Sequence, residues 1–287
     1  MQRLVDTTAA AMPTACRGCP LCGRLGHQLL HRVSGAEVRR CTECGFVFAR
    51  GGGSLATEAG YYDAMGGYER FVEAKKNQWR ELFRELAALA PGRRLLEVGC
   101  ARGYALALAR EFGWLPYGVE ISGDDAAYAR SRFGLNVFHG TVERCPAPPC
   151  TFDAITMWSV LEHIEAPLEA LQACHRLLVP GGLLSIHTPN ADSKAAAVLG
   201  ERWSMYAMPG HVSFFGPRTL RAALRLCGFE VERLDTGLGC RPVDALAPHA
   251  RTRLTLRKAA AGIAGQLGLK QPIREIIYAM QPQLREQ

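Results

Sequence analysis

The stretch Arg94-Leu95-Leu96-Glu97-Val98-Gly99-Cys100-Ala101-Arg102-Gly103 decides the fold. Its first half reads as a short buried strand, and Gly99 and Gly103 bracket a tight turn. The next segment, Tyr104 to Phe112, has helical character and stops at Gly113. A strand that runs through glycines into a helix brings backbone N–H groups and the positive helix end up against a ligand. Gly99 lets the chain turn sharply, and Gly103 keeps the helix close. Tyr117-Gly118-Val119-Glu120 reads as the next strand and ends in an acid 21 positions after Gly99. At that spacing a carboxylate at the strand tip can take both hydroxyls of a ribose.

The ligand is not a dinucleotide by this reading. A nicotinamide fingerprint is G-x-G-x-x-G/A. Here Cys100-Ala101 stands where the middle glycine would let a pyrophosphate approach. Glu97, two residues before Gly99, puts negative charge beside the ligand. That charge suits an ammonium and a sulfonium better than a diphosphate. The pattern E-x-G-x-x-x-G, followed by a strand ending in Glu, resembles the class I S-adenosylmethionine-dependent methyltransferases. The resemblance implies an α/β, Rossmann-like sheet of seven strands. It also implies a cofactor site built from Glu97, Gly99, Cys100, Ala101, Gly103, Glu120 and Ile121.

The chain has 287 residues, enough for one large α/β domain and a small appendage. A hydrophobic content of 48% and a charged content of 21% are those of an ordinary globular chain. The net charge of +7 is concentrated at the ends. Residues 1–50 carry seven arginines against three acids, and residues 241–287 carry eight Lys or Arg against three acids. Basic ends can meet nucleic acid or an anionic substrate, or form a solvated surface. No apolar run approaches the roughly 18 residues that span a bilayer, and Met1–Ala15 lacks a signal-peptide core. A cytoplasmic protein is expected, with its eleven cysteines serving as metal ligands and buried thiols rather than disulfides.

Cys19-Pro-Leu-Cys22-Gly23 and Cys41-Thr-Glu-Cys44-Gly45 are two knuckles with eighteen residues between Cys22 and Cys41. The spacing falls in the window of a tetrahedral zinc site. Gln28 to Arg40 reads as a hairpin with Ser34-Gly35 near its tip, and Phe46-Val47-Phe48 as a closing strand. Cys16 offers a shifted ligand set, but only the Cys19 pair has the Pro and Gly of a knuckle. Zinc suits four thiolates better than iron. Four protein ligands leave no open position, so the site is structural. The expected organisation is a disordered 1–15, a zinc ribbon over 16–50, a linker over 51–60 and a methyltransferase domain over 61–287. That domain includes a lead-in segment, 61–90, and a basic tail, 241–287.

Tyr68 to Leu89 predicts a helix, with Trp79, Leu82, Phe83, Leu86 and Leu89 at spacings of three and four. Ser122 predicts the N-cap of a helix reaching Phe133. Leu135–Phe138, Phe152–Trp158 and Leu183–His187 read as further strands, with a helix from Leu168 to Leu178. Ligands sit at the carboxyl edge of such sheets. The run from Phe152 to Asn190 also resembles class I methyltransferases, and His211-Val212-Ser213-Phe214-Phe215-Gly216-Pro217 is similar to a block of the small-molecule branch. The resemblance implies that Thr141 and Val142 border the adenine and that Trp158 lies beside the cofactor. Arg274 to Met280 is similar to the antiparallel strand that closes these sheets.

The first functional reading is methyl transfer from S-adenosylmethionine to the O, N or C atom of a small molecule. The second is an RNA or protein methyltransferase that grips its substrate through the ribbon and basic ends. Nucleic acid is less favoured, because base-stacking aromatics near the knuckles and an Asn-Pro-Pro-Tyr-type segment are missing. The third is a non-enzymatic ribbon adaptor, against which the intact Glu97, Gly99, Gly103 and Glu120 stand. An oxygen acceptor needs a base, and His163 and His211 are the candidates. His139 falls on the adenine side, and His187 inside a strand reads as packing.

Overall fold

The computed structural model describes residues 18–51 and 67–237 and the backbone of 274–280. The expected terminal segment 1–15, Cys16, residues 52–60 of the expected linker 51–60 and the tail segment 241–272 lie outside the described residues, while Gly51 ends a strand. Two sheets organise the chain. The central one runs β10-β11-β8-β7-β4-β5-β6. Its parallel part is β4 (Arg94–Val98), β5 (Leu115–Glu120), β6 (Asn136–His139), β7 (Phe152–Trp158) and β8 (Leu178–Pro189). Beyond β8, β11 (Arg274–Met280) and β10 (Glu230–Gly237) pair antiparallel. The strand β8 begins at Leu178, so Pro180-Gly181-Gly182 lies inside it, where the pairing with β7 slips register between Phe152 and Ala154.

The strand period of two sends neighbours to opposite faces. Leu95, Ala154 and Leu183 pack with α1 (Tyr68–Leu89) and α2 (Tyr104–Ala109). Leu96, Ile155 and Leu184 pack instead with α4 (Pro167–Leu177) and α7 (Pro217–Leu226). Helix α1 buries Trp79, Leu82, Phe83 and Leu86, and the Phe83 carbonyl accepts from Trp114 Nε1 at 3.1 Å. Helix α3 (Gly123–Phe133) starts on Ser122, whose hydroxyl accepts from Asp125 N at 3.3 Å. At the amino ends of β4 and β7, Asp153 accepts from the Arg94 amide at 2.8 Å and from its guanidinium at 3.1 Å. This pin keeps the two strands level, so Gly99 and Trp158 emerge together at the carboxyl edge.

The second sheet runs β1 (His27–Val33), β2 (Ala36–Cys41), β3 (Val47–Gly51), β9 (Ser213–Phe214). Ser34 and Gly35 both have positive φ, +50° and +79°, the geometry of a two-residue hairpin turn. The fourth strand comes from the far end of the chain. Cys19, Cys41, Phe46 and Phe48 belong to the same buried cluster as Leu161, Phe215 and Leu220. The cysteine module therefore shares a buried cluster with the large domain. The reason is apolar surface: a module this small cannot bury Phe46 and Phe48 within itself.

Candidate active site

The glycine turn is held from below. Gly99 and Cys100 donate from their amides to the Val119 carbonyl at 2.8 and 3.2 Å. Gly99 has φ +68°, and a Cβ there would lie 2.5 Å from Val160 Cγ2. Val160 belongs to the turn after β7, so that turn lies directly against Gly99. Gly103, at φ +78°, opens α2 with Leu135 and Ala129 so close that no side chain fits. Ala101 also takes positive φ, +46°, and its amide donates to Glu120 Oε2 at 2.7 Å. The Ser122 amide donates to Glu120 Oε1 at 2.8 Å. Glu120 thus ties the tip of β5 to the turn. Cys100 faces the core: a Cβ on Gly118 would lie 2.6 Å from its sulfur. Burial, then Glu97 and Glu120, push its thiol up, so it offers a ligand only its backbone.

Glu97 is 5% exposed, and its Oε2 has no hydrogen-bond partner among the described residues. Burial, then the neighbouring Glu120, push its pKa up to about 8. Glu120 is raised as well, chiefly by burial. Two buried acids, one lacking a donor, form a site that a cation completes. The ammonium of S-adenosylmethionine is such a cation, and the bare Glu97 oxygen is an acceptor that fits it.

Just beyond β5, Ile121 is 61% exposed. His139 Nε2 lies 3.1 Å from the Ile121 carbonyl. Thr141 is half-buried, whereas Val142 is 2% exposed and packs into the core with Val119 and Leu171. Any share of Val142 in an adenine contact falls to its backbone.

The turn after β7 carries the other half of the site. Trp158 stacks on His187 with centroids 4.2 Å apart and planes 11° from parallel. Ser159 has φ +56°, and its hydroxyl lies 3.5 Å from His187 Nδ1. Buried Glu162 accepts from Thr188 Oγ1 at 2.9 Å. The rings of His163 and His211 meet edge to face at 4.7 Å. His211 Nδ1–H donates to the Met205 carbonyl at 3.1 Å, which fixes the orientation of the ring. One ligand atom each from Glu162, His163 and His211 fall within 4.8 Å of one another. Such a set can move a proton or hold a divalent cation. The sequence reading brought His163 and His211 forward but missed Glu162 and the stack of His187 on Trp158.

The four cysteines also converge, with all four sulfurs within 4.8 Å. Cys19 and Cys44 sulfurs are 3.6 Å apart, and those of Cys22 and Cys41 are 3.5 Å apart. A tetrahedron of ~2.3 Å Zn–S bonds has edges of ~3.8 Å. Gly23 and Gly45 take φ +72° and +76° and close the knuckles by donating amide hydrogen bonds to the Cys19 and Cys41 carbonyls. The nine cysteines among the described residues are free thiols.

A family model described as a methyltransferase domain matches residues 68–234, and the chain belongs to that family. It is an S-adenosylmethionine-dependent methyltransferase. It is 28% identical over 182 residues to a "Probable S-adenosylmethionine-dependent methyltransferase" of Mycolicibacterium smegmatis, covering 60% of this chain and 68% of that one. A "Ubiquinone biosynthesis O-methyltransferase" of Pseudomonas aeruginosa is 31% identical over 160 residues, 52% of this chain and 68% of that one. A solved S-adenosylmethionine-dependent methyltransferase from Archaeoglobus fulgidus superposes with a TM-score of 0.55 at 22% identity, covering 77% of this chain and 98% of that one. No helix among the described residues is long and apolar enough to cross a membrane.

Proposed function

We propose that the chain methylates a small-molecule acceptor, with His163 and His211 at the acceptor end of the site. S-adenosylmethionine supplies a methyl group activated on a sulfonium. The backbone of Gly99, Cys100, Ala101 and Gly103 forms the cradle, Glu97 faces the ammonium and Glu120 the ribose. Ile121, Thr141 and Val142 border the adenine, and Trp158 borders the cofactor at the end of β7. The antiparallel pair β10 and β11 completes a seven-stranded methyltransferase sheet in this reading. The protein's remaining tasks are to align the acceptor, exclude water and take a proton if the acceptor is a hydroxyl.

The observation that carries the reading is the His163–His211 pair, set against the turn whose Val160 touches Gly99. The bond from His211 Nδ1 to the Met205 carbonyl orients that ring toward His163. The relative named for O-methylation in ubiquinone biosynthesis supports an oxygen acceptor. Cys19, Cys22, Cys41 and Cys44 hold a structural zinc, and the described cysteines, none in a disulfide, suit a reducing cytoplasm. We also keep the ribbon over 16–50, the linker over 51–60 and the catalytic part over 61–287 as the domain plan.

The test is methyl transfer from tritium-labelled S-adenosylmethionine to a panel of small phenols and amines and to bulk RNA. Label in a small molecule supports the reading. Label confined to RNA or to protein overturns it in favour of a macromolecular substrate.

A further inference from the structure

We propose that the four-cysteine ribbon forms one wall of the acceptor site, by holding the segment that carries His211 through strand β3. This rests on the placement of His163 and His211 at the acceptor. Strand β9 pairs with β3 and not with the central sheet: Val47 faces Phe214, and Phe48 faces Ser213. The Ala49 amide donates to the Val212 carbonyl at 2.9 Å. The opposite edge of the same residues is bound to the turn after β7. Val212 N donates to the Glu162 carbonyl at 2.9 Å, and Ser213 Oγ donates to the Ile164 carbonyl at 2.7 Å. Residues 212–213 are therefore clamped between the ribbon and the turn bearing Glu162 and His163.

The clamp reaches the metal ligands in two steps. Cys41 N donates to the Phe46 carbonyl at 2.9 Å, closing the second knuckle. The Phe46 ring, fully buried, lies 4.7 Å from that of Phe215, which is 1% exposed. Arg218 of α7 packs so close to Gly45 that a Cβ there would lie 2.2 Å from Nη2. A ribbon of this size takes its folding energy from its metal, so the geometry of β3 depends on the four thiolates. The cofactor side has no such dependence. Gly99, Cys100 and Glu120 are fixed by bonds inside the central sheet and its turns. Metal loss should thus loosen the acceptor half and spare the cofactor half. Ala49, Phe46 and Phe48 act as positioning residues, and a ribbon that only gripped a distant substrate would not need this seam.

The test compares the full-length wild type with Cys41→Ser, which breaks the metal site, and Ala49→Pro, which keeps the cysteines but removes the amide donated to Val212. Metal analysis fixes the zinc content of each. Hydrogen exchange read by mass spectrometry should speed up by about tenfold or more in 160–166 and 211–216 in both variants, because local opening sets the rate. Peptides covering 95–103 and 117–122 should stay unchanged, and affinity for S-adenosylhomocysteine should hold within about threefold, under 1 kcal/mol. The Cε1–H resonances of His163 and His211 should move in Ala49→Pro, a change that a remote structural role would not cause. Unaltered exchange at 211–216 in the metal-free variant would overturn the proposal. So would loss of protection spread evenly over both halves of the site. None of these readouts uses an acceptor, so a failed acceptor screen is distinguishable from a failed clamp.

Discussion

Glu97→Gln separates the stability of the empty site from its ability to bind. The folded chain holds the Glu97 proton up to about pH 8, while an ordinary glutamate releases it near 4.5. Between those values the native state binds more protons than the unfolded state, so stability falls as pH rises. At 1.36 kcal/mol per unit, the three units from pH 4.5 to 7.5 amount to about 4 kcal/mol. Glutamine is neutral throughout and escapes this loss. Its buried amide adds a fixed offset of roughly 1–3 kcal/mol, so the pH trend carries the test and not the absolute Tm. The assay is thermal unfolding of cofactor-free protein from pH 5 to 8. The variant's Tm should rise relative to wild type by on the order of 10 °C across that range, at ~2–4 °C per kcal/mol. The same variant should lose about tenfold to a hundredfold in affinity for S-adenosylhomocysteine, the worth of a charged hydrogen bond. A Tm difference that stays flat with pH would refute the reasoning, because Glu97 would then be ionised in the empty site.

Gly99→Ala should lower the unfolding free energy by about 1–3 kcal/mol through its positive φ and its 2.5 Å approach to Val160, read by denaturant unfolding. The damage comes from strain against Val160 and not from filling cofactor space. His163→Ala and His211→Ala, assayed across pH with saturating cofactor on an oxygen acceptor, should cost about 10²–10⁴ in rate for whichever ring is the base. That variant should also lose the acidic limb of the pH profile. Plasma emission analysis of the purified chain should find one zinc per chain, absent from Cys22→Ser. A folded, metal-free wild type would refute the metal assignment.

Local rules made the cofactor half of the site legible. The glycine turn, the acid 21 residues on and the N-cap at Ser122 depend on neighbours in sequence, and the hairpin at Ser34-Gly35 needs only two residues with positive φ. The seam between ribbon and domain was not legible. Strand β9 is two residues long, too short for any periodicity, and its partner Val47 is far away in the chain. The stack of Trp158 on His187 follows from the register of β7 against β8, which pairs those two positions. The burial of the Val142 side chain follows from the short 3₁₀ turn Val142–Arg144, which the sequence did not announce. Glu162 stood in plain view beside His163, and only the fold brings Thr188 and His211 to it.

The most direct test of the cofactor site is calorimetric titration of the full chain with S-adenosylhomocysteine, wild type beside Glu120→Ala. Glu120 fastens the Ala101 and Ser122 amides and faces the ribose in this account. Wild type should bind one molecule per chain. Glu120→Ala should lose at least roughly 1.5–3 kcal/mol, more than tenfold in affinity. Equal affinity in the two proteins would contradict the account.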